Sequence, residues 1–205
     1  MHEQQPAPAC DDMADVLIIG GGLSGALLAA QLLRRPGRRR LLVVEPRGEL
    51  GRGEAYSATE NGHTLNGNAA RMSVDPDNPD DLTHWLQQQI DAGQWPDSAE
   101  QGVPVAELFP PRGLFGRYAR QRLAEAERVG AKAGSTLEHV CTEVVDLQVH
   151  DDRVQAQLQD GRRVQARQAV LATGMFAAAR TAQVGEKPLA KSLSPSALTP
   201  LNSMG

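Results

Sequence analysis

The tightest constraint on this chain is an apolar run that stops on glycine. Val16-Leu-Ile-Ile19 leads straight into Gly20, Gly21 and Gly22, with Gly25 three residues beyond, so the sequence holds Gly20-x-Gly22-x-x-Gly25. The run is apolar without alternation, which predicts a strand buried on both faces of a parallel sheet. Leu23, Ala26, Leu27, Ala30 and Leu33 then recur at one-face helical spacing until Pro36-Gly37 stops the pattern. A second apolar run, Leu41-Leu-Val-Val44, ends on Glu45, 20 residues after Gly25. Glycine alone decides nothing, because 20 glycines in 205 residues can fall at this spacing in any flexible loop. Strand, glycine turn, helix, strand and terminal acid, in that order, form a dinucleotide fingerprint.

Each part has a physical role in that reading. Gly20 permits the sharp turn, Gly22 lets backbone approach a pyrophosphate, and Gly25 lets the helix lie close on the strand. The anion meets unpaired amides and the positive end of the helix dipole. Ser24, in the first turn, either adds a hydroxyl donor or is an ordinary helix-start residue. Glu45 accepts hydrogen bonds from ribose hydroxyls and repels the 2′-phosphate of NADP from this site, so the expected nucleotide is FAD or NAD.

Composition narrows the partners. A formal net charge of −4 gives no basic field, so nucleic acid is not an expected partner. Arg34, Arg35 and Arg38 to Arg40 read as cations that complement a helix C-terminus. Cys10 and Cys141 suggest neither a disulfide framework nor a metal site, and no Cys or His pair has structural-zinc spacing. No run is apolar enough to span a membrane, and Met1 to Asp15 lacks a signal-peptide core, so the expected location is the cytoplasm. The length suits one core with an appendage.

After Glu45 a long polar loop carries His63, Asn66, Asn68 and Arg71. Asn78 reads as a helix cap with Pro79 in the first turn, then Leu82, Trp85, Leu86 and Ile90 as the apolar face and Gly93 as the stop; His84 reads as exposed or partly packed. Pro110-Pro111 opens a further helix with Phe115, Tyr118, Ala119, Leu123 and Ala126 on one face and Gly130 at its end. Leu137 to Cys141 is expected as a third parallel strand, completing a β-α-β-α-β order. From Val144 the period becomes two: Val145, Leu147 and Val149, then Val154, Ala156 and Leu158, then a turn at Asp160-Gly161 before Val164 and Ala166. This antiparallel meander delivers the chain to Ala169-Val-Leu-Ala172, read as a short buried strand, and Thr173-Gly174.

Taken together these motifs resemble the FAD/NAD(P)-binding flavoproteins of the two-dinucleotide-binding-domain kind, in particular a bacterial FAD-NAD(P)-binding, FAD-dependent urate hydroxylase-like family. Glu49-Leu-Gly-Arg-Gly53 looks like its Gly-rich flavin loop, and Asn66-Gly-Asn-Ala-Ala-Arg-Met-Ser73 like the loop that follows. Pro111-Arg-Gly-Leu-Phe-Gly-Arg-Tyr118 looks like its helix entry, and Ala172-Thr-Gly174 like its second FAD motif. The resemblance runs over residues 14–174. It implies an α/β fold: a Rossmann-like FAD-binding domain with a parallel sheet and an inserted antiparallel β-meander. It also implies that Arg47, Arg52 and Gly53 lie near the FAD ribose and pyrophosphate, that the Val144 backbone contacts adenine, and that Thr173 and Gly174 pass close to the cofactor. Arg47 and Arg52 have an alternative as solvated loop charges, and Asn66 and Arg71 either face the flavin ring or serve the loop. Two departures stand out: Ala166-Arg167-Gln168 replaces the acid such families carry before Ala-Thr-Gly, and a nicotinamide-binding domain and late Gly-Asp motif are missing. Residues 1–13 are expected as a flexible arm and 175–205 as a disordered tail, as from a truncated reading frame.

The function implied is an FAD-dependent oxidoreductase of the NAD(P)H-dependent monooxygenase type, or its N-terminal FAD-binding portion, acting on a small-molecule substrate. In such an enzyme a nicotinamide cofactor reduces the flavin, which passes electrons to oxygen or substrate, and no side chain is singled out as a general base or nucleophile. The alternative is a non-catalytic dinucleotide-binding module or fragment that needs a partner domain. An NAD-binding domain is a third reading, disfavoured by the Arg-bearing loop after Glu45 and the Ala-Thr-Gly motif.

Overall fold

β1 (Ala14–Ile19) forms where the first apolar run predicts it, with Leu17 and Ile18 fully buried. The computed structural model describes residues 13–94 and 102–174. Cys10, the arm expected over residues 1–13 apart from Met13, and the tail expected over 175–205 lie outside the described residues. α1 (Leu23–Arg34) follows the glycine turn, and β2 (Arg40–Val44) pairs in parallel with β1. α2 (Asp81–Asp91) and α3 (Arg112–Lys132) precede β3 (Thr136–Val140), which is the third parallel strand. β4 (Val144–Val149), β5 (Val154–Leu158) and β6 (Arg163–Leu171) make the antiparallel meander, closed by a turn in which Gly161 has φ +88°. The strand order is β3-β2-β1-β6-β5-β4.

Both faces of the parallel strands are covered, which is why they read as unbroken apolar runs. On one face Val16, Ile18, Leu41 and Val43 pack with Ala26, Ala29, Ala30 and Leu33 of α1 and Leu123 and Ala126 of α3. On the other, Leu17, Ile19, Leu42 and Val44 pack with Ala156, Leu158 and Ala166 of the meander. A third core joins α2 to the first half of α3, where Leu82, Trp85 and Leu86 meet Leu114, Phe115 and Tyr118.

The structure corrects four local expectations. α2 starts at Asp81 with Asp80 as its cap, not at Asn78-Pro79; the Asn78 carbonyl is taken by Ser73 Oγ at 2.7 Å and by the Asp81 amide at 3.1 Å in a preceding turn. Gly130 does not end α3 but lies within it, because a Cβ there would stand 2.9 Å from Leu33 Cδ2 where α3 meets α1. The helix ends instead on Gly134 at φ +77°, with Ser135 N–H on the Gly130 carbonyl and Gly134 N–H on that of Ala131, a Schellman closure. In β4 the alternation is broken by a register shift between Val144 and Asp146, so Val144 and Leu147 pack inward while Val145 is 58% exposed; Val149, the last residue of the strand, is 77% exposed. Finally, Ala169 to Ala172 is not a separate buried strand. Ala169 to Leu171 is the end of the continuous β6, with Ala172 just past it; the first half of β6 pairs with β5 and the second half with β1, leaving Leu171 66% exposed.

Among the described residues no helix is long and apolar enough to cross a membrane, and no group of three or more His, Cys, Asp or Glu is arranged to hold a metal ion.

The α2–α3 contact is fixed by a charged network at the rim of its core. Asp81 Oδ2 accepts from Tyr118 Oη at 2.6 Å and Arg122 Nε at 2.6 Å, while Oδ1 accepts from Arg122 Nη2 at 2.9 Å. Burial pushes the Asp81 carboxyl up, but the hydrogen bonds from Arg122 and Tyr118 outweigh it and hold the group below its ordinary 3.8. Burial and the same carboxylate push the Tyr118 phenol up to about 12. A depressed carboxylate adds stability above its unfolded pKa and loses it as pH falls through the folded value. Asp81→Asn is therefore expected to cost about 3 kcal/mol at neutral pH. In urea titrations the gap should narrow once the pH drops below 3.8; a gap that stays constant with pH would remove the charge from the explanation.

Candidate dinucleotide-binding site

The carboxyl ends of β1, β2 and β6 meet at the glycine turn, and each glycine there answers a different demand. Gly20 has φ +101°, and a Cβ on it would lie 2.5 Å from the Ala172 carbonyl oxygen. Gly25 carries the helix over the turn so closely that its Cβ would be 2.0 Å from the Gly20 oxygen and 3.2 Å from Ile18 Cγ2. Both findings agree with the sharp-turn and close-packing roles read from the sequence. Gly21, which the fingerprint leaves unspecified, is equally constrained: its Cβ would be 2.3 Å from Leu50 Cδ2 and 2.7 Å from Glu45 Cβ. Gly22 differs from all three, since its Cβ would meet only Gly53 Cα, at an ordinary 3.6 Å.

The second loop is laid against the first. Gly51 N–H donates to the Gly21 carbonyl at 2.8 Å, and Gly53, at φ +54°, faces Gly22 so that its own Cβ would be 3.1 Å from Gly22 Cα. Gly51 has φ +93° and passes within 3.3 Å of the Arg120 amide of α3, measured from an added Cβ. Two glycine-rich backbones thus stand face to face at the N-terminus of α1. Gly22 caps that helix without a side chain, no acid lies in its first turn, and Ser24 is exposed there. The positive end of the α1 dipole is left for an external anion.

Glu45 is 5% exposed, yet each of its carboxylate oxygens accepts a hydrogen bond. Oε2 accepts from Gly21 N–H at 2.8 Å and Oε1 from Arg47 N–H at 3.1 Å. A carboxylate oxygen can take two donors, so each keeps a lone pair. The Arg47 guanidinium lies 3.6 Å from Glu45 Oε1 and 2.5 Å from Glu54 Oε2, and Arg52 bonds to the Tyr56 carbonyl and to Glu49, both at 3.2 Å. Hydrogen bonds from Arg52 and Arg120 hold the exposed Glu49 carboxyl below the usual range. Both arginines are ion-paired in the loop, Arg47 with a partner whose side chain is 89% exposed.

Thr173 and Gly174 lie at the end of β6, where Ala172 N–H donates to the Ile19 carbonyl at 2.8 Å; Thr173 Cα would be 3.1 Å from a Cβ on Gly20, and Gly174 has φ +68°. Gly20, Gly22, Gly25, Glu45, Gly53 and Thr173 are therefore brought together. Val144 stands further along the chain at the head of β4, paired with Leu158 and with its side chain against the second core. Asn66 Oδ1 accepts from Arg112 Nη2 at 2.7 Å, tying the long loop to α3, and Arg71 is exposed in a short 3-10 turn.

The sequence alone gave no packing role to Gly21, Leu50, Gly113 and Gly116. The last two stand three apart on α3 and admit the Ala58 and Tyr56 carbonyls, at 2.2 and 2.6 Å from an added Cβ. That i, i+3 pair was the available signal. These residues fit the adenosine-diphosphate half of a dinucleotide: a side-chain-free slot, an uncompensated helix N-terminus and a carboxylate with spare lone pairs beside it.

Gly25→Ala and Gly22→Ala separate the packing glycines from the remaining one. Thermal unfolding should show Gly25→Ala losing at least about 3 kcal/mol through the clash with the Gly20 carbonyl, and Gly22→Ala changing stability by less than about 1 kcal/mol. Equal losses would refute this division.

Comparison with known proteins agrees with the geometry. The sequence profile of the FAD-NAD(P)-binding family matches residues 17–176. No curated protein matches the sequence. Among solved structures, a flavin-containing monooxygenase from Stenotrophomonas maltophilia is 26% identical, with a TM-score of 0.48, covering 79% of this chain and 38% of that one. The Kutzneria sp. 744 ornithine N-hydroxylase, in its complex with FADred, NADP+ and L-orn, is 19% identical over 79% of this chain and 37% of that one; its TM-score of 0.52 shows a shared fold. A thioredoxin reductase from Gloeobacter violaceus is 15% identical, with a TM-score of 0.44, over 80% of this chain and 37% of that one. The chain spans 38% of the first of these proteins, well under half its length. With the profile running from β1 past the end of β6, this protein belongs to the FAD-NAD(P)-binding family.

Proposed function

We propose that this protein is an FAD-dependent oxidoreductase, or the FAD-binding portion of one, that acts on a small-molecule substrate with a nicotinamide cofactor as electron donor. The observation that carries the reading is the convergence of Gly22, Gly53, Glu45 and Thr173 on the unpaired N-terminus of α1 in a chain of this family. FAD, when bound, supplies the redox chemistry. The chain's own part is to hold it.

In this proposal the amides of the α1 first turn and of Gly53 receive the pyrophosphate, with Ser24 adding a hydroxyl donor. The spare lone pairs of Glu45 take the adenosine ribose hydroxyls, and the backbone at Val144 receives adenine. Arg47 needs little rearrangement to reach a phosphate: its partner Glu54 has a side chain 89% exposed, and a pair that open to water is worth at most about 1 kcal/mol. Arg52 is held along α3 by Glu49 and the Tyr56 carbonyl, which aims it before any anion arrives. Thr173 and Gly174 bring side-chain-poor backbone to the other wall of the site. Cys141 is a free thiol, in keeping with a reducing compartment, and the cytoplasm is the proposed location.

A second reading is a dinucleotide-binding module whose turnover depends on a further domain. The two readings part in one preparation. Purified protein titrated with FAD should quench flavin fluorescence, and oxidation of NADH or NADPH stimulated by added FAD marks the enzyme. FAD binding without that oxidation marks the module, and a protein that ignores FAD but binds NAD overturns the first reading.

Glu45→Gln keeps the shape but replaces one acceptor oxygen by an amide. It should weaken FAD binding by about 1 to 3 kcal/mol, the cost of a charge-assisted hydrogen bond. Unchanged affinity in the same fluorescence titration would remove Glu45 from the ribose.

A further inference from the structure

Glu45 uses every polar group it has. Its N–H donates to the Val140 carbonyl at 3.1 Å, its carboxylate receives Gly21 N–H at 2.8 Å and Arg47 N–H at 3.1 Å, and its carbonyl oxygen meets His139 Nε2 at 3.0 Å. Three of these partners are backbone. The fourth is a side chain, and the topology explains it. β2 ends at Val44, so the Glu45 carbonyl points beyond the last rung of the β2–β3 ladder. His139, in register with Val43, reaches along the outer strand to supply the missing donor.

That carbonyl belongs to the Glu45–Pro46 peptide. Its orientation sets the direction in which the chain turns to bring Arg47 N–H back onto Glu45 Oε1. A donor on the carbonyl therefore fixes the loop and the carboxylate together, and the imidazole tautomer that does so carries its proton on Nε2. We propose that His139 is a positioning residue for ribose recognition: by holding the Glu45 carbonyl it aims the Glu45 carboxylate, without touching the nucleotide itself. This rests on the reading of the site as an FAD site. Cys141 Sγ lies 3.6 Å from the same nitrogen.

The test compares FAD with an analogue whose adenosine carries 2′,3′-dideoxyribose, each titrated by flavin fluorescence into the full chain. His139→Ala should weaken FAD binding about 5- to 10-fold, the range of one lost hydrogen bond, and leave the analogue's affinity unchanged. His139→Gln, which keeps a donor, should recover most of the loss. Combining His139→Ala with Glu45→Gln should add little to Glu45→Gln alone, because both act on one carboxylate. Equal weakening of FAD and analogue would make His139 merely structural and overturn the proposal, as would an unchanged affinity for FAD. If the unmodified chain binds FAD with a Glu45-dependent preference over the analogue and His139→Ala does not alter it, only this proposal falls. If the unmodified chain does not bind FAD, the site reading falls with it.

Discussion

A carboxylate taken out of water must be given hydrogen bonds, and at Glu45 it receives backbone amides from two different loops. One bond reaches back to Gly21 between β1 and α1, and the other reaches forward to Arg47 in the loop after β2. Without the first, the glycine turn would have no tie to β2 beyond the bond from Gly20 N–H to the Val44 carbonyl. The second adds to the bond from Gly51 N–H to the Gly21 carbonyl in holding the loop that bears Gly51 and Gly53 against the glycine turn. Leaving such a group buried and unpaired would cost several kcal/mol, so the sequence that places an acid here must also place the amides. The arrangement that stabilises the buried charge is the same one that lines up the site.

The glycines divide along the same line. Gly20, Gly21 and Gly25 are excluded from carrying a side chain by contacts already inside the protein, with Ala172, Leu50 and Ile18 among the atoms in the way. The fold itself would demand them even if nothing ever bound. Gly22 has space for a methyl group and a helical N-terminus beside it. A glycine that packing does not require, at the point where a helix offers unpaired amides, is where a demand from outside the chain is expected to act.

Much of this was legible in the residues themselves. Unbroken apolar runs at Val16 to Ile19 and Leu41 to Val44 reported strands covered on both faces, and the positions of Glu45 and Asp160-Gly161 followed from strand ends and turn chemistry. What was not legible depended on partners distant in sequence. Gly130 looks like a helix stop until Leu33 is packed against it, and Val145 looks buried until a bulge turns it outward. Val170 and Leu171 are as apolar as the first strand, yet the second half of β6 is paired on one side only among the described residues. His139 carries no local signal at all, because its role depends on which carbonyl the neighbouring strand leaves unpaired.

The proposed diphosphate site is the mouth of the first crossover, where Gly22 and Gly53 face each other at the N-terminus of α1. Adding ADP to isotope-labelled protein and following backbone amides by NMR tests it directly. Shifts are expected at Gly22, Leu23, Ser24 and Gly53, with Gln155 and Gln157 on the outer meander unmoved. Shifts confined to the cavity between Arg52, Thr59 and the start of α3, or no shifts in the glycine loops at saturating ADP, would contradict the account.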